Sequence, residues 1–432
     1  MSVDELRVRP DRSGRDGSPV AAPDVVPGAM AMPAAAGRSP LQGRGIVCMS
    51  SIDWEFNWQG HQQIMSALAE RGNHVLFVEN TGVRAPTLRD LPRLVARVRN
   101  RWRSPGAFRR ERDRLDVHSP LALPFPYARV ARAVNRTLVL RHVHRWMRAT
   151  SVRAPLLWTF LSTPLVLDLI EAIRPALSVY YCVDDLPETS AGARKILPSE
   201  TRLFREADLV FVTAERLRAR AATSRSQVDV FPFGVDLEPF ERARDGNGPL
   251  PADIASLPRP IVGFVGEVKR WIDEALLIEV AARMPHASFV LVGPIGTDAS
   301  RLARRPNVHL LGTRPHAEVP HYLKAFDVAI IPYRLANVTA AIYPAKLNEY
   351  LAMGLPVVST PIAELVRFDA SHRHVISLAG DPGAFASAIG AALSSRASEA
   401  AARRVAVARG NAWAPRIDRM VALVEEALAA RA

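Results

Sequence analysis

The chain has 432 residues, too many for one ordinary domain, so two domains of roughly 200 residues each are expected. Its 48% hydrophobic content is that of a globular protein, and no apolar run approaches the ~18 to 20 residues that span a bilayer. The net charge is +13, and the only two cysteines, Cys48 and Cys182, make neither a metal cluster nor a disulfide framework, which points to a reducing compartment. Residues 1–40 are rich in Pro, Gly, Ala and Arg without period; they read as disordered and lack the compact apolar core of a secretory signal.

From residue 41 the pattern alternates. "GIVCMS" (45–50) reads as a strand, "GHQQIMSALAERG" (60–72) as a helix and "HVLFVEN" (74–80) as a strand, with "LDVHS" following at 115–119. Further strands are expected at 155–160, 176–185, 208–213 and 228–236, separated by helices near 164–173 and 193–206. Continuous apolar strands between helices mean a parallel sheet covered on both faces.

Within this half, Arg84 to Arg148 holds seventeen arginines against four acids, interleaved with tryptophan and apolar residues. Solvated helix faces and an amphipathic surface for anionic lipid headgroups both fit that composition. Nucleic acid is not expected as a partner, because no recognised binding module accompanies the charge.

Residues 238–260 are polar and Pro/Gly-rich and read as a linker. The alternation then restarts, with strands at 261–266, 288–294, 307–312, 327–333, 356–360 and 374–378, helices at 273–284 and 316–325, and helices closing the chain from Trp413. Two successive doubly wound domains face each other across a cleft, and ligands bind where the carboxyl ends of the strands meet it.

The stretch "AIYPAKLNEYLAMGLPVVST" (341–360) places a helix start at Pro344, an apolar face at Leu347, Tyr350 and Leu351, and a stop at Gly354. Lys346 and Glu349 share its first turns, where a cation, a carboxylate and free helix amides suit a phosphate and a sugar hydroxyl.

The ordered set "PRPIVGFVGEVKRWIDEALLIEVAARMPHASFVLVGP", "NVHLLGTRPHAEVPHYLKAFDVAIIPY" and "KLNEYLAMGLPVVST" resembles the donor domain of a GT-B glycosyltransferase. It is most similar to the retaining family 4 group, in a bacterial branch associated with surface polysaccharide and teichuronic-acid-type synthesis. "IDWEFNWQGHQQIMSALAERGNHVLFVEN" and "YYCVDD" extend the resemblance into the first half.

The resemblance implies an α/β GT-B fold of two Rossmann-like parallel-sheet domains: an acceptor domain at 41–237 and a nucleotide-sugar domain at 261–432. It also implies a metal-independent enzyme without cofactor, using a UDP- or GDP-sugar donor and a lipid-linked or polysaccharide acceptor. Such an enzyme is expected in the cytoplasm, peripheral to the membrane through Arg84–Arg148. A nucleotide-sugar epimerase on the same fold and a non-catalytic assembly or binding protein remain alternatives.

The family hallmark is a pair of glutamates eight positions apart. Glu349 occupies the second position, with Ala341 in the first. By resemblance Glu349 binds ribose hydroxyls and Lys346 sits near the diphosphate, with Tyr343 and Pro344 beside them. Gly266 ends the first strand of this domain, and Glu267 follows it where relatives carry an arginine, leaving Lys269 or Arg270 to substitute.

In the first half, Asp184 and Asp185 end a cleft-facing strand, where adjacent side chains diverge, so one of them is expected near the acceptor hydroxyl or the sugar. His61, at the first turn of its helix, shares a stripe with Ile64, Met65 and Leu68 and is either a buried histidine or a functional one. Asp53, Trp54 and Trp58, in the loop before that helix, are candidates for acceptor contact.

Overall fold

A computed structural model describes residues 40–55, 58–82, 108–123, 126–190, 192–394 and 398–431. The expectations for 1–39 and for the arginines from Arg84 to Arg103 lie outside the described residues.

Eight strands form the first sheet: β1 (Gly45–Met49), β2 (His74–Val78), β3 (Arg109–Arg112), β4 (Leu115–His118), β5 (Leu156–Thr159), β6 (Leu177–Cys182), β7 (Leu209–Val212) and β8 (Asp229–Val230). Their order is β3-β4-β2-β1-β5-β6-β7-β8, parallel except where β3 pairs antiparallel with β4. The sequence pattern did not mark β3, because "RRER" carries no apolar alternation. It is an edge strand, where charge is the usual protection against stray pairing.

The second sheet holds β9 (Ile261–Val265), β10 (Ser288–Val292), β11 (Val308–Gly312), β12 (Val328–Ile331), β13 (Val357–Ser359) and β14 (Ser377–Leu378). Its order is β11-β10-β9-β12-β13-β14, all parallel, which is the classic dinucleotide-fold order with its switch point between β9 and β12. The first sheet reverses in the same way between β1 and β5.

Val, Ile, Leu and Phe fill these strands on both faces, and burial on both faces is why they read as unbroken apolar runs. Cys48 and Cys182 are free thiols buried in strands β1 and β6.

Two segments depart from expectation. The stretch expected as a linker contains the helix Leu237–Asp245 and a turn at Ala252–Ala255, whose Phe240, Ala243 and Ile254 enter the core of the second half. Phe240 and Ala243, three apart on one helix face, and Ile254 in the following turn outweigh the polar composition around them.

The last helix, Trp413–Ala429, was grouped with the second half. Its Trp413, Ile417, Met420, Leu423, Val424 and Leu428 instead pack into the core of the first half, beside β1 and β6. The crossing is pinned where the Trp413 amide donates to the Val235 carbonyl and the indole lies over Gly60 and Gly234.

Candidate functional site

The site is built at the carboxyl ends of β9, β10 and β12. Strand β9 runs into Gly266 at φ +135°, and β10 runs into Gly293 at φ +146°. A Cβ on Gly293 would lie 2.2 Å from the Gly266 carbonyl oxygen, so the two turns approach each other with no room for a side chain. Their amides bond back into the sheet, Gly266 to the Val292 carbonyl and Gly293 to the Gly312 carbonyl, both at 2.8 Å.

Over this floor stands the helix Lys346–Ala352. Its Leu347, Tyr350 and Leu351 are fully buried, as their spacing indicated, and the Tyr350 hydroxyl accepts a 2.8 Å hydrogen bond from the Val265 amide. Asn348, also fully buried, donates to the Phe233 carbonyl at 2.8 Å and pairs with the Tyr343 hydroxyl. Tyr343 is thus a buried support that fixes the start of the helix.

The helix is only seven residues long. The amides of Leu347 and Asn348 are already used by the Pro344 and Ala345 carbonyls. Free helix amides, one part of the sequence reading, are therefore scarce here, and Lys346 supplies the positive charge.

Lys346 reaches back over the floor. Its Nζ donates to the Tyr333 hydroxyl at 2.7 Å and lies 4.8 Å from the centre of the Phe264 ring, and a Cβ on Gly266 would come within 3.0 Å of it. No carboxylate pairs with it among the described residues, so its charge is open to an anion.

Glu349, one turn on, has its Oε1 3.8 Å from His316 Nε2. The contact with Glu349 raises the His316 pKa against the opposing effect of burial, and Asp236 adds to the rise. His316 was not singled out in sequence: it opens the helical turn His316–Glu318 at the start of the helix expected over 316–325, and no motif marks it as a site residue.

Two adjoining cavities share Trp58, His316, Ala345, Lys346 and Glu349. One, of about 190 Å³, lies over Gly266, Gly293, Pro294, Thr313 and Arg314. The other, of about 230 Å³, runs between Gln59, Gly60 and Gln63 of the first half and Tyr333, Tyr343, Pro344 and Trp413.

Ala341, in the first glutamate position, is 2% exposed and packs into an apolar cluster otherwise made of first-half residues. A carboxylate at this position would be sealed between the halves. Ala341→Glu is expected to destabilise the fold by on the order of 3 kcal/mol, the scale for an unpaired buried charge, read as a lowered denaturant midpoint.

The residues after Gly266 are turned to other tasks. Lys269 Nζ pairs with Glu267 at 2.5 Å and stands 4.8 Å from the Trp271 ring centre, so its charge is partly neutralised by the residue that replaces the family arginine. Arg270 donates across the cleft to the Thr189 carbonyl. Asp273, read as an N-cap, accepts from the Leu276 amide at 3.1 Å.

In the first half, Asp185 is bound to Arg220, which also holds Glu200 at 3.1 Å, while the Tyr180 hydroxyl donates to Glu200. Asp185 therefore belongs to a buried ion-pair network. Asp184, the neighbouring residue, is exposed and lines neither cavity, with Lys269 near its carboxylate.

His61 is 1% exposed, its ring tilted 35° against Phe160 with centroids 3.9 Å apart, and with Nε2 2.9 Å from Ser51 Oγ. Burial lowers its pKa to about 3, so it is neutral, and it lines neither cavity. Trp54 is buried edge-on against Phe77, and its amide donates to Glu79 at 2.9 Å. Trp58 lines both cavities, its indole donating to Gln63 at 2.7 Å. Asp53 lies in the same loop, half-buried, close enough to raise the pKa of Glu79.

Two doubly wound parallel sheets with a site at the second switch point define the GT-B fold. Residues 259–395 match the family described as glycosyl transferases group 1, and span the floor, Lys346 and Glu349.

A putative teichuronic acid biosynthesis glycosyltransferase, TuaH of Bacillus subtilis (strain 168), is 31% identical over 176 residues, 39% of this chain and 44% of its own length. The chain thus matches less than half the length of that relative.

Among solved structures, sucrose-phosphate synthase from Thermosynechococcus elongatus aligns with a TM-score of 0.66 at 18% identity, covering 90% of this chain and 100% of the other. HepE of Anabaena in complex with UDP-glucose aligns with a TM-score of 0.60 at 15% identity, covering 88% and 98%.

Proposed function

We propose that the protein is a glycosyltransferase that moves a sugar from a UDP- or GDP-sugar to a lipid-linked or polysaccharide acceptor, with retention of anomeric configuration. It works at the inner face of the membrane, with its basic first half toward anionic lipid. The observation that carries this reading is the convergence of Lys346 and Glu349 on the glycine floor of Gly266 and Gly293. The match to the group 1 family over the same residues and the UDP-glucose bound by HepE support it.

In this reading the base and ribose occupy the cavity over Gly293 and Thr313, with the ribose hydroxyls donating to Glu349. The diphosphate lies beside Lys346. Transfer breaks the bond between the anomeric carbon and the diphosphate oxygen, which takes the electron pair, while the acceptor oxygen bonds to that carbon. Lys346 stabilises the charge growing on the leaving group, so neither metal nor cofactor has a part in the reading. In this reading Asp184, an exposed carboxylate near Lys269, receives the acceptor proton.

The buried Ala341 and the Glu267–Lys269 pair favour a second reading, a binding protein that holds nucleotide without transfer. A screen of UDP- and GDP-sugars for donor hydrolysis separates the two. Release of nucleotide from one donor above the protein-free rate is expected; nucleotide binding with no hydrolysis of any donor selects the second reading.

A further inference from the structure

Large apolar side chains are exposed at eight places among the described residues, and four of them fall within fourteen residues of one another: Leu121 at 51%, Leu123 at 42%, Val130 at 76% and Val134 at 37%. The chain leaves β4 at His118, on the edge of the sheet where β2 and β1 also end and where the Ser51–Trp58 loop begins. It then enters the helix Arg129–Ala149.

Asn135, 2% exposed, clamps the two pieces together. Its Oδ1 accepts from the Leu123 amide at 2.7 Å, and its Nδ2 donates to the Leu123 carbonyl at 3.1 Å. Leu121 and Leu123 are thereby held beside the first turns of the helix. Val130 and Val134, four apart, lie on the face away from the buried Ala131, Val139, Val143 and Trp146.

The rest of this helix is cationic. It carries six arginines and no acidic residue. Arg132 is held by both oxygens of Asp168, and the other five make no ion pair among the described residues. An apolar tip continuous with unpaired arginines fits a surface that is apolar within and anionic at its rim. That chemistry belongs to an anionic bilayer, whereas nucleic acid offers no apolar layer and solvated faces need no exposed leucines.

We propose that the tip formed by Leu121, Leu123, Val130 and Val134 inserts among the acyl chains of an anionic membrane, with Arg141, Arg145 and Arg148, on the same side of the helix as the two valines, on the headgroups. The proposal rests on the membrane-linked reading of the acceptor and names the contact. The tip lies on the cleft edge of the first sheet, so insertion brings the cleft mouth to the layer in which a lipid-linked acceptor resides.

The test is co-sedimentation with phosphatidylcholine vesicles containing phosphatidylglycerol, and with pure phosphatidylcholine, across a salt series. Wild type is expected to bind the anionic vesicles and to be only partly released by salt, because insertion survives screening. Replacing all four tip residues with serine is expected to weaken partitioning at least tenfold and to leave only a salt-released fraction. Arg141→Gln with Arg145→Gln and Arg148→Gln is expected to remove the preference for anionic over neutral vesicles.

UDP-glucose binding by the tip variant reports on folding and is expected to match wild type. If neither protein binds nucleotide while the vesicle results hold, the donor reading fails and the surface stands. Unchanged partitioning of the tip variant overturns the proposal. So does light scattering that shows a wild-type dimer dissociated by the serine replacements, which would make the tip an interface between copies.

Discussion

Glu349→Ala is expected to weaken binding of UDP or GDP by roughly 10- to 100-fold, the loss of about 1.5–3 kcal/mol that follows removal of hydrogen bonds to a charged group. Glu349 is one-fifth exposed, on a helix whose buried face does not include it, so the fold is expected to tolerate the change. The measurement is isothermal titration of the nucleotide diphosphate with the matching monophosphate as control. Both ligands carry the ribose, so both are expected to lose affinity by a similar factor. A loss confined to the diphosphate would reassign Glu349 to the phosphate end.

Lys346→Met is expected to act on turnover more than on binding. Methionine keeps the apolar stem against Phe264 and Tyr333 and removes only the charge. A positioned cation at a developing phosphate charge is worth on the order of 100-fold or more in rate, so kcat for the preferred donor should fall by about that factor while KM changes much less. Equal effects on kcat/KM carried wholly by KM would mean that Lys346 holds ground state and transition state alike.

Both residues were legible in sequence because the helix that carries them obeys local rules. Its apolar face at Leu347, Tyr350 and Leu351 is buried as spaced, and its position before β13 fixes its place at the sheet edge. The central strands of both sheets were legible because doubly buried strands leave apolar runs, whereas the charged edge strand β3 was not.

Other features depend on contacts between distant segments. Arg270 lies three residues before the helix N-cap Asp273 and reads as a loop cation, yet its partner is a carbonyl 81 residues away. Ala341 reads as a missing glutamate; only the packing of the two halves shows the position to be closed. His316 opens a helix that the sequence marks, yet its partner Glu349 lies on another helix that no local pattern names. The final helix has the amphipathic pattern of any surface helix, and nothing in that pattern names the half it covers.

The cavity over Gly266 and Gly293, bounded by Lys346 and Glu349, is proposed to be a nucleotide-sugar site. The most direct test is calorimetric titration of the full chain with UDP, GDP and their sugars at low salt. Saturable binding of at least one nucleotide diphosphate is expected, weakened 10-fold or more in Glu349→Ala. The absence of binding by wild type to every nucleotide, or equal binding by wild type and variant, would contradict it.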